Sequence, residues 1–204
     1  MSEAREAALP AALPSARPVA GTPSERALIR AAQGGSAAAM EELFRRHWPR
    51  AHRAAWLVVH DAAAAEDVAQ EAFLAAVRSL NRFDRRRPFG PWLHRIAVNR
   101  AIDYARAREV RREVPADAVA EAAGAGALGG GPSDEIVAAL AALAPEQRAV
   151  IVLRHLLGYT PGEIARMLGL PRGTVNSRLR RGLDALASEV EPGSTACPGE
   201  ASAP

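Results

Sequence analysis

Within residues 66–104 an acidic segment with a helical period runs straight into a basic one with the same period, and few folds accept both. At 100° per residue, Ala69, Ala72, Phe73, Ala76, Val77 and Leu80 fall on one side of the first segment. Asp67, Gln70, Glu71, Leu74 and Arg78 fall on the other, so two carboxylates and an amide share one outward face. In the second segment Trp92, Leu93, Ile96, Ala97 and Ala101 cluster in the same way. Residues 82–112 hold ten Arg against Asp84, Asp103 and Glu109, a net of +7. This layout suits a protein that grips a basic partner with one helix and nucleic acid with the next.

Runs rich in Val, Ile and Thr that would mark strands are absent, and aromatics are only 4% of the chain. The predicted fold is therefore all-α, as two small helical domains joined by a flexible linker. Much of the apolar content is Ala, which implies close-packed helices rather than bulky layers. Every basic residue is Arg, and guanidinium forks suit phosphates and base edges. The lone cysteine, Cys197, excludes a disulfide framework and argues against a Cys-based zinc site. His47, His52, His60, His94 and His155 lack metal-ligand spacing. Nothing resembles a nucleophile with its base, a phosphate loop or a metal cluster, so no catalytic residue, metal or cofactor is expected. No apolar run approaches the ~20 residues that cross a bilayer. Glu3 and the N-terminal prolines make a poor signal peptide, so the expected location is the cytoplasm, with no membrane partner.

Residues 1–21, rich in Ala and Pro, read as a disordered tail. Thr22-Pro23-Ser24-Glu25 reads as a capping box, opening a helix that ends at Gly34-Gly35. Ser36 caps the next helix, in which Pro49 predicts a bend. Asp61 restarts the chain into the acidic helix. A loop over Asn81–Pro91 and a helix from about Pro91 to Arg108 complete a first domain, 22–111. Residues 112–133, ending in poly-Gly, read as a flexible linker that sets the next domain about 25 Å away.

The second domain, 134–190, carries apolar positions over two helices, the later one following Pro145 and ending at Gly158. It then shows a capping box at Thr160-Pro161-Gly162-Glu163, a short helix stopping at Gly169, and a longer basic helix after Pro171. Short helix, glycine turn, basic helix is the helix-turn-helix pattern. Val175, Leu179, Gly182, Leu183 and Leu186 share the predicted core face of the last helix. Gly173, Thr174, Ser177, Arg180 and Arg181 point away, flanked by Asn176 and Arg178. Small residues let a backbone approach DNA, and Arg reaches guanine edges or phosphates. A solvated Arg face is the plainer alternative. Residues 191–204 read as a second disordered tail.

In the basic stretch Phe83, Phe89 and Trp92 interleave with Arg around a Gly/Pro loop, which predicts exposed rings for stacking unpaired bases. Trp92 taken alone reads as core. The acidic trio has surface solvation as its plain alternative. At the level of the whole chain, two rivals stand: a stand-alone helix-turn-helix regulator, and a helical adaptor whose Arg faces bind acidic proteins.

Taken together, these residues resemble an RNA polymerase sigma factor of the sigma-70 family, in its two-domain extracytoplasmic-function class, from about Ala27 to Val190. The run AEDVAQEAF at 65–73 resembles region 2.2, which docks on a coiled coil of the polymerase β′ subunit. That resemblance implies core-polymerase contacts at Asp67, Gln70, Glu71 and Leu74. The run PFGPWLHRIAVNRAIDY at 88–104 resembles regions 2.3 and 2.4, which melt and read the −10 element. It implies −10 contacts at Arg82, Phe83, Arg85, Arg86, Arg87, Phe89, Trp92, Arg95, Asn99, Arg100 and Asp103, with Asn99 aligned to a residue that holds a flipped base. Residues 141–187, with PEQR at 145–148 and LGLPRGTVNSRL at 168–179, resemble region 4. The implied −35 contacts are Arg172, Gly173, Thr174, Asn176, Ser177, Arg178, Arg180 and Arg181. Gly182 stands where Ala is usual, at an expected cost of about 1 kcal/mol in a helix interior. The implied partners are core polymerase (β′ coiled coil and β flap), promoter DNA as duplex at −35 and single strand at −10, and an anti-sigma protein of the kind that clamps both domains.

Overall fold

A computed structural model describes residues 23–112 and 134–190. The expectations of two disordered tails and a flexible linker fall outside the described residues. Eight α-helices follow in order: α1 Glu25–Gln33, α2 Ala37–Val59, α3 Ala62–Ser79, α4 Phe89–Arg112, α5 Asp134–Ala141, α6 Pro145–Ile151, α7 Pro161–Leu168 and α8 Arg172–Val190. A 3₁₀ turn, Leu80–Arg82, closes α3, and a π-helical turn, Val152–Leu156, extends α6. Among the described residues there is no strand.

Local chemistry sets most of the helix starts. Ser36 Oγ accepts from Ala39 N at 3.3 Å, and Asp61 Oδ1 from Ala64 N at 3.0 Å. The box at Thr160 closes both ways: Glu163 N donates to Thr160 Oγ1 at 3.3 Å, and Thr160 N to Glu163 Oε2 at 2.8 Å. The start of α1 is a correction. Its cap is Ser24, accepting from Ala27 N, and Glu25 turns away to partners on α2 and α4 instead of completing a box. Thr22 lies outside the described residues. Helix α2 is helical on both sides of Pro49. Helix α4 begins at Phe89 and runs to Arg112, longer than predicted at both ends.

The interior is built on small side chains. Ala51, Ala54 and Ala55 of α2, Ala65, Ala69, Ala72 and Ala76 of α3, and Ala97, Ala101 and Ala105 of α4 are all buried, and these three helices pack on one another. Such surfaces bring helix axes toward the near end of the usual 8–10 Å spacing. One core gathers Leu28, Ile29, Leu43, Phe73, Phe83, Phe89 and Leu93 beneath α1. The other joins the C-terminal half of α2 and Val98, Ala101 and Ile102 of α4 to Leu143, Val150, Leu153, Ile164 and Val175.

That second core crosses between the two halves of the molecule, so the expected separation of about 25 Å is overturned. The far face of α2 and α4 is apolar, and α6 and α7 cover it. Polar contacts fix this seam. Arg148, buried, donates to the Val58 carbonyl at the end of α2, and to Ala141 O at 3.1 Å and Leu143 O at 2.7 Å. Cations belong at helix C-termini, where carbonyls lack helical partners. Arg106 pairs with Glu146 across the seam, and His94 Nδ1 lies 2.7 Å from Tyr159 Oη. Burial, with His47 and Arg50 nearby, holds His94 down at about 4, and burial pushes Tyr159 up to about 12. Both groups are therefore neutral near pH 7.

Candidate nucleic-acid interface

Three surfaces carry the residues singled out in the sequence. On α3, Asp67, Gln70, Glu71 and Leu74 are exposed along one face, Leu74 by 54%. Val77 joins them, 45% exposed, where the core side was expected. It follows Gln70 by seven residues and so returns to the same face. Gln70 Nε2 donates to Glu66 Oε1 at 3.0 Å. Glu71 reaches across to α4 and pairs with Arg100 at 2.6 Å.

The second surface is an open cleft of about 650 Å³ between α3 and α4, lined by Trp92, Arg95, Asn99, Arg100 and Asp103 together with Ala75, Ser79 and Ile96. Five predicted residues thus meet in one concavity. Trp92, Arg95, Asn99 and Asp103 recur every three or four residues along one side of α4, with Arg100 beside Asn99 at its edge. Sequence reasoning missed Ala75, Ser79 and Ile96, whose signal is weak because they form the wall and floor rather than the charged rim.

The loop beside this cleft differs from expectation in its rings. Phe83 and Phe89 are buried, 8% and 2% exposed, so the prediction that they stand open to bases is corrected. They pack edge-on to each other with centroids 5.8 Å apart. Both also touch Trp92, at 4.6 and 5.5 Å. Two apolar rings flanking a short polar turn gain more by closing on the core than by facing water. Trp92 is half-buried, one side against these rings and its edge at the cleft. Between the anchors the turn is tight: Asp84 Oδ1 accepts from Arg86 N at 3.0 Å, and Asp84 O from Arg87 N at 2.9 Å. Arg82, Arg85, Arg86 and Arg87 are left exposed.

Two further residues set this loop and escaped the sequence reading. Gln33 Nε2 donates to Leu80 O at 2.8 Å and Phe83 O at 3.0 Å. Glu25 Oε1 accepts from Phe89 N at 2.9 Å, at the start of α4. Their partners lie 47 to 64 residues away, so no local pattern marks them.

The third surface is α8. Gly169, at φ +66°, makes the left-handed turn that ends α7 and aims the next helix away. Val175 and Leu179 anchor α8 in the core. Arg172, Gly173, Asn176, Arg180 and Arg181 are exposed, while Thr174, Ser177 and Arg178 are half-buried. Ser177 Oγ donates to Thr174 O at 3.0 Å. Leu183, expected in the core, is 42% exposed. Gly182 is buried, and a Cβ there would lie 2.6 Å from Ile151 Cδ1. Its missing side chain is what lets α8 approach α6.

The α3 face offers carboxylates, while the cleft, the loop and α8 offer guanidinium cations, amide and hydroxyl donors and one aromatic edge. Among the described residues no helix is long and apolar enough to cross a membrane. The family model for sigma-70 region 2 matches residues 43–111, and that for sigma-70 region 4 matches 133–186. The ECF RNA polymerase sigma factor SigM of Mycobacterium tuberculosis is 35% identical over 164 residues, covering 80% of this chain and 83% of the relative. The solved structure of CnrH in complex with the cytosolic domain of CnrY is similar at 29% identity, with a TM-score of 0.63, over 83% of this chain and 99% of that one. The sigma factor RpoE of Bartonella quintana, solved in complex with the anti-sigma factor NepR, shares the fold at 23% identity, with a TM-score of 0.61, over 75% of this chain and 97% of that one. The chain belongs to the extracytoplasmic-function class of the sigma-70 family, the factors that bring RNA polymerase to promoters and start transcription.

Proposed function

We propose that the three surfaces divide this work between them. The outward face of α3, through Asp67, Gln70, Glu71 and Leu74, docks on the β′ coiled coil of core polymerase. The cleft and loop take the −10 element as single strand, with Trp92 offering the stacking edge and Asn99 holding a flipped base. Arg82, Arg85, Arg86, Arg87, Arg95 and Arg100 neutralise the phosphates on either side. Asp103 accepts from a base or from a neighbouring Arg. Phe83 and Phe89 act from behind, as the seat of Trp92. Helix α8 enters the major groove at −35 through Arg172, Gly173, Thr174, Asn176, Ser177, Arg178, Arg180 and Arg181. The domain boundaries follow this division, with 22–111 serving polymerase and −10, and 134–190 serving −35. The work is done by binding, without a catalytic group, and in the cytoplasm, where DNA and polymerase are.

The observation that carries this reading is the cleft, where five side chains from the −10 run converge beside four exposed Arg. Two weak DNA contacts become tight only when polymerase holds both domains, so the free protein binds promoters poorly. The seam adds to this. Helix α7 packs on both α4 and α8, which puts the recognition helix about 20 Å from α4. The −10 and −35 elements are about 25 base pairs apart, roughly 85 Å of duplex. Reading both requires the domains to part, and a partner protein that holds the seam shut keeps the factor inactive. CnrH, solved in complex with the cytosolic domain of CnrY, supports a protein partner for this chain.

Run-off transcription with purified core polymerase on a genomic promoter library tests the reading. Start sites that need this protein and share paired −35 and −10 motifs are expected, and Asp67→Ala with Glu71→Ala should abolish them. Tight, selective duplex binding by the protein alone, with no new start sites, would point to a stand-alone regulator.

A further inference from the structure

Helix α1 lies outside residues 43–111, which match region 2, yet its first and last residues hold the two ends of the Arg loop. At the C-terminal end of α1 the Gln33 amide spends its donors on Leu80 O and Phe83 O, where the chain leaves α3. At the N-terminal end the Glu25 carboxylate receives Phe89 N–H, where the chain enters α4. That N–H is one of the orphan donors of a helix start, and a carboxylate there is favoured by the α4 dipole. His47 Nε2, 3.1 Å from the other Glu25 oxygen, fixes the carboxylate's orientation. Leu28, Ile29 and Ala32 pin α1 itself in the core. Eight residue steps at 1.5 Å each separate the two grips by about 12 Å.

From this geometry we propose that α1 is a brace for the −10 loop, with Gln33 and Glu25 as positioning residues that set where Arg85, Arg86 and Arg87 meet the DNA strand. The inference rests on the −10 reading of this loop. Neither side chain reaches the cleft; both act through the backbone of residues 80–89. Without them the loop keeps its buried rings but loses its fixed ends. The Arg cluster then samples several positions, and discrimination among bases falls while attraction to phosphate persists.

The test uses holoenzyme assembled from core polymerase and the full chain. Promoter fragments randomised over the −10 positions are captured and sequenced, and core affinity and melting temperature are measured in parallel. Gln33→Ala and Gln33→Glu, which both remove the two donors, are expected to flatten the −10 base preference about tenfold. Core affinity and −35 preference should stay within about twofold. Glu25→Gln keeps an acceptor for Phe89 N–H and should retain most of the preference that Glu25→Ala loses. An unchanged −10 profile in Gln33→Ala, or a parallel loss of core affinity and −35 preference, would overturn the brace. If Arg85, Arg86 and Arg87 changed together to Ala leave the −10 profile intact, the reading of the loop itself fails, and the brace with it. If that triple variant loses preference and Gln33→Ala does not, the brace alone fails.

Discussion

The loop proposed to read −10 and the helix proposed to read −35 are held in opposite ways. Helix α8 is placed by short-range bonds: the Thr160–Glu163 box, the left-handed Gly169, and Leu170 N donating to Ala165 O at 2.9 Å. The loop is placed by bonds that span 47 to 64 residues. A locally built surface keeps its shape as long as its own helices form. A surface built from distant contacts depends on the whole domain. Removing the local and the remote supports separately tests that contrast.

The largest effect is expected where the two domains meet. Arg148→Met keeps the stem but strips the cap from Val58, Ala141 and Leu143 carbonyls, at about 3–5 kcal/mol of stability by denaturant titration. A loss under about 1 kcal/mol would mean that packing alone holds the seam.

Acid should act next. His94 and His60 are both held at about 4, chiefly by burial, with cationic neighbours His47 and Arg50 for the first and Arg148 and Arg108 for the second. The unfolded chain takes up these protons near pH 6.5 and the folded one only near 4, so their contribution is full above 6.5 and is lost as pH falls through 4. For His94 this amounts to roughly 3 kcal/mol at most. His94→Gln should flatten the slope of stability between those limits; an unchanged slope would refute the assignment.

Gly182→Ala sets a helix-propensity gain of about 1 kcal/mol against a clash with Ile151. A net loss of about 1 kcal/mol is expected. Ile151→Val, which removes the clashing methyl, should reveal a coupling of similar size in a double-mutant cycle. The smallest change is Thr160→Ala, worth about 1 kcal/mol or less and confined to α7. It should weaken −35 binding without touching the −10 profile, whereas Gln33→Ala should do the reverse.

The same contrast governs what could be read from the sequence. Ser36, Asp61 and the Thr160 box announce their helices because cap and helix are neighbours in the chain. The acidic face of α3 and the Arg face of α8 follow from period alone. Val77 and Leu183 were misplaced because they sit at stripe edges, where a single helix cannot say how wide its neighbour is. Phe83 and Phe89 among Arg look the same to the sequence whether they anchor the loop or wait for bases. Deciding needs the pocket under α1, made by residues far off in the chain. Glu25 has a plausible local role in a capping box, which hid its remote one. The seam was invisible for a different reason: a 21-residue connection permits contact as readily as separation.

The apolar content of that seam has a thermal consequence. Leu57, Val58, Ile102, Val150 and Leu153 share one buried cluster, and parting the domains hydrates some of it. Wetting apolar surface raises heat capacity, so the cost of opening bends with temperature rather than following a straight line. On the proposed opening, promoter occupancy varies with temperature, the apolar grip weakening on cooling.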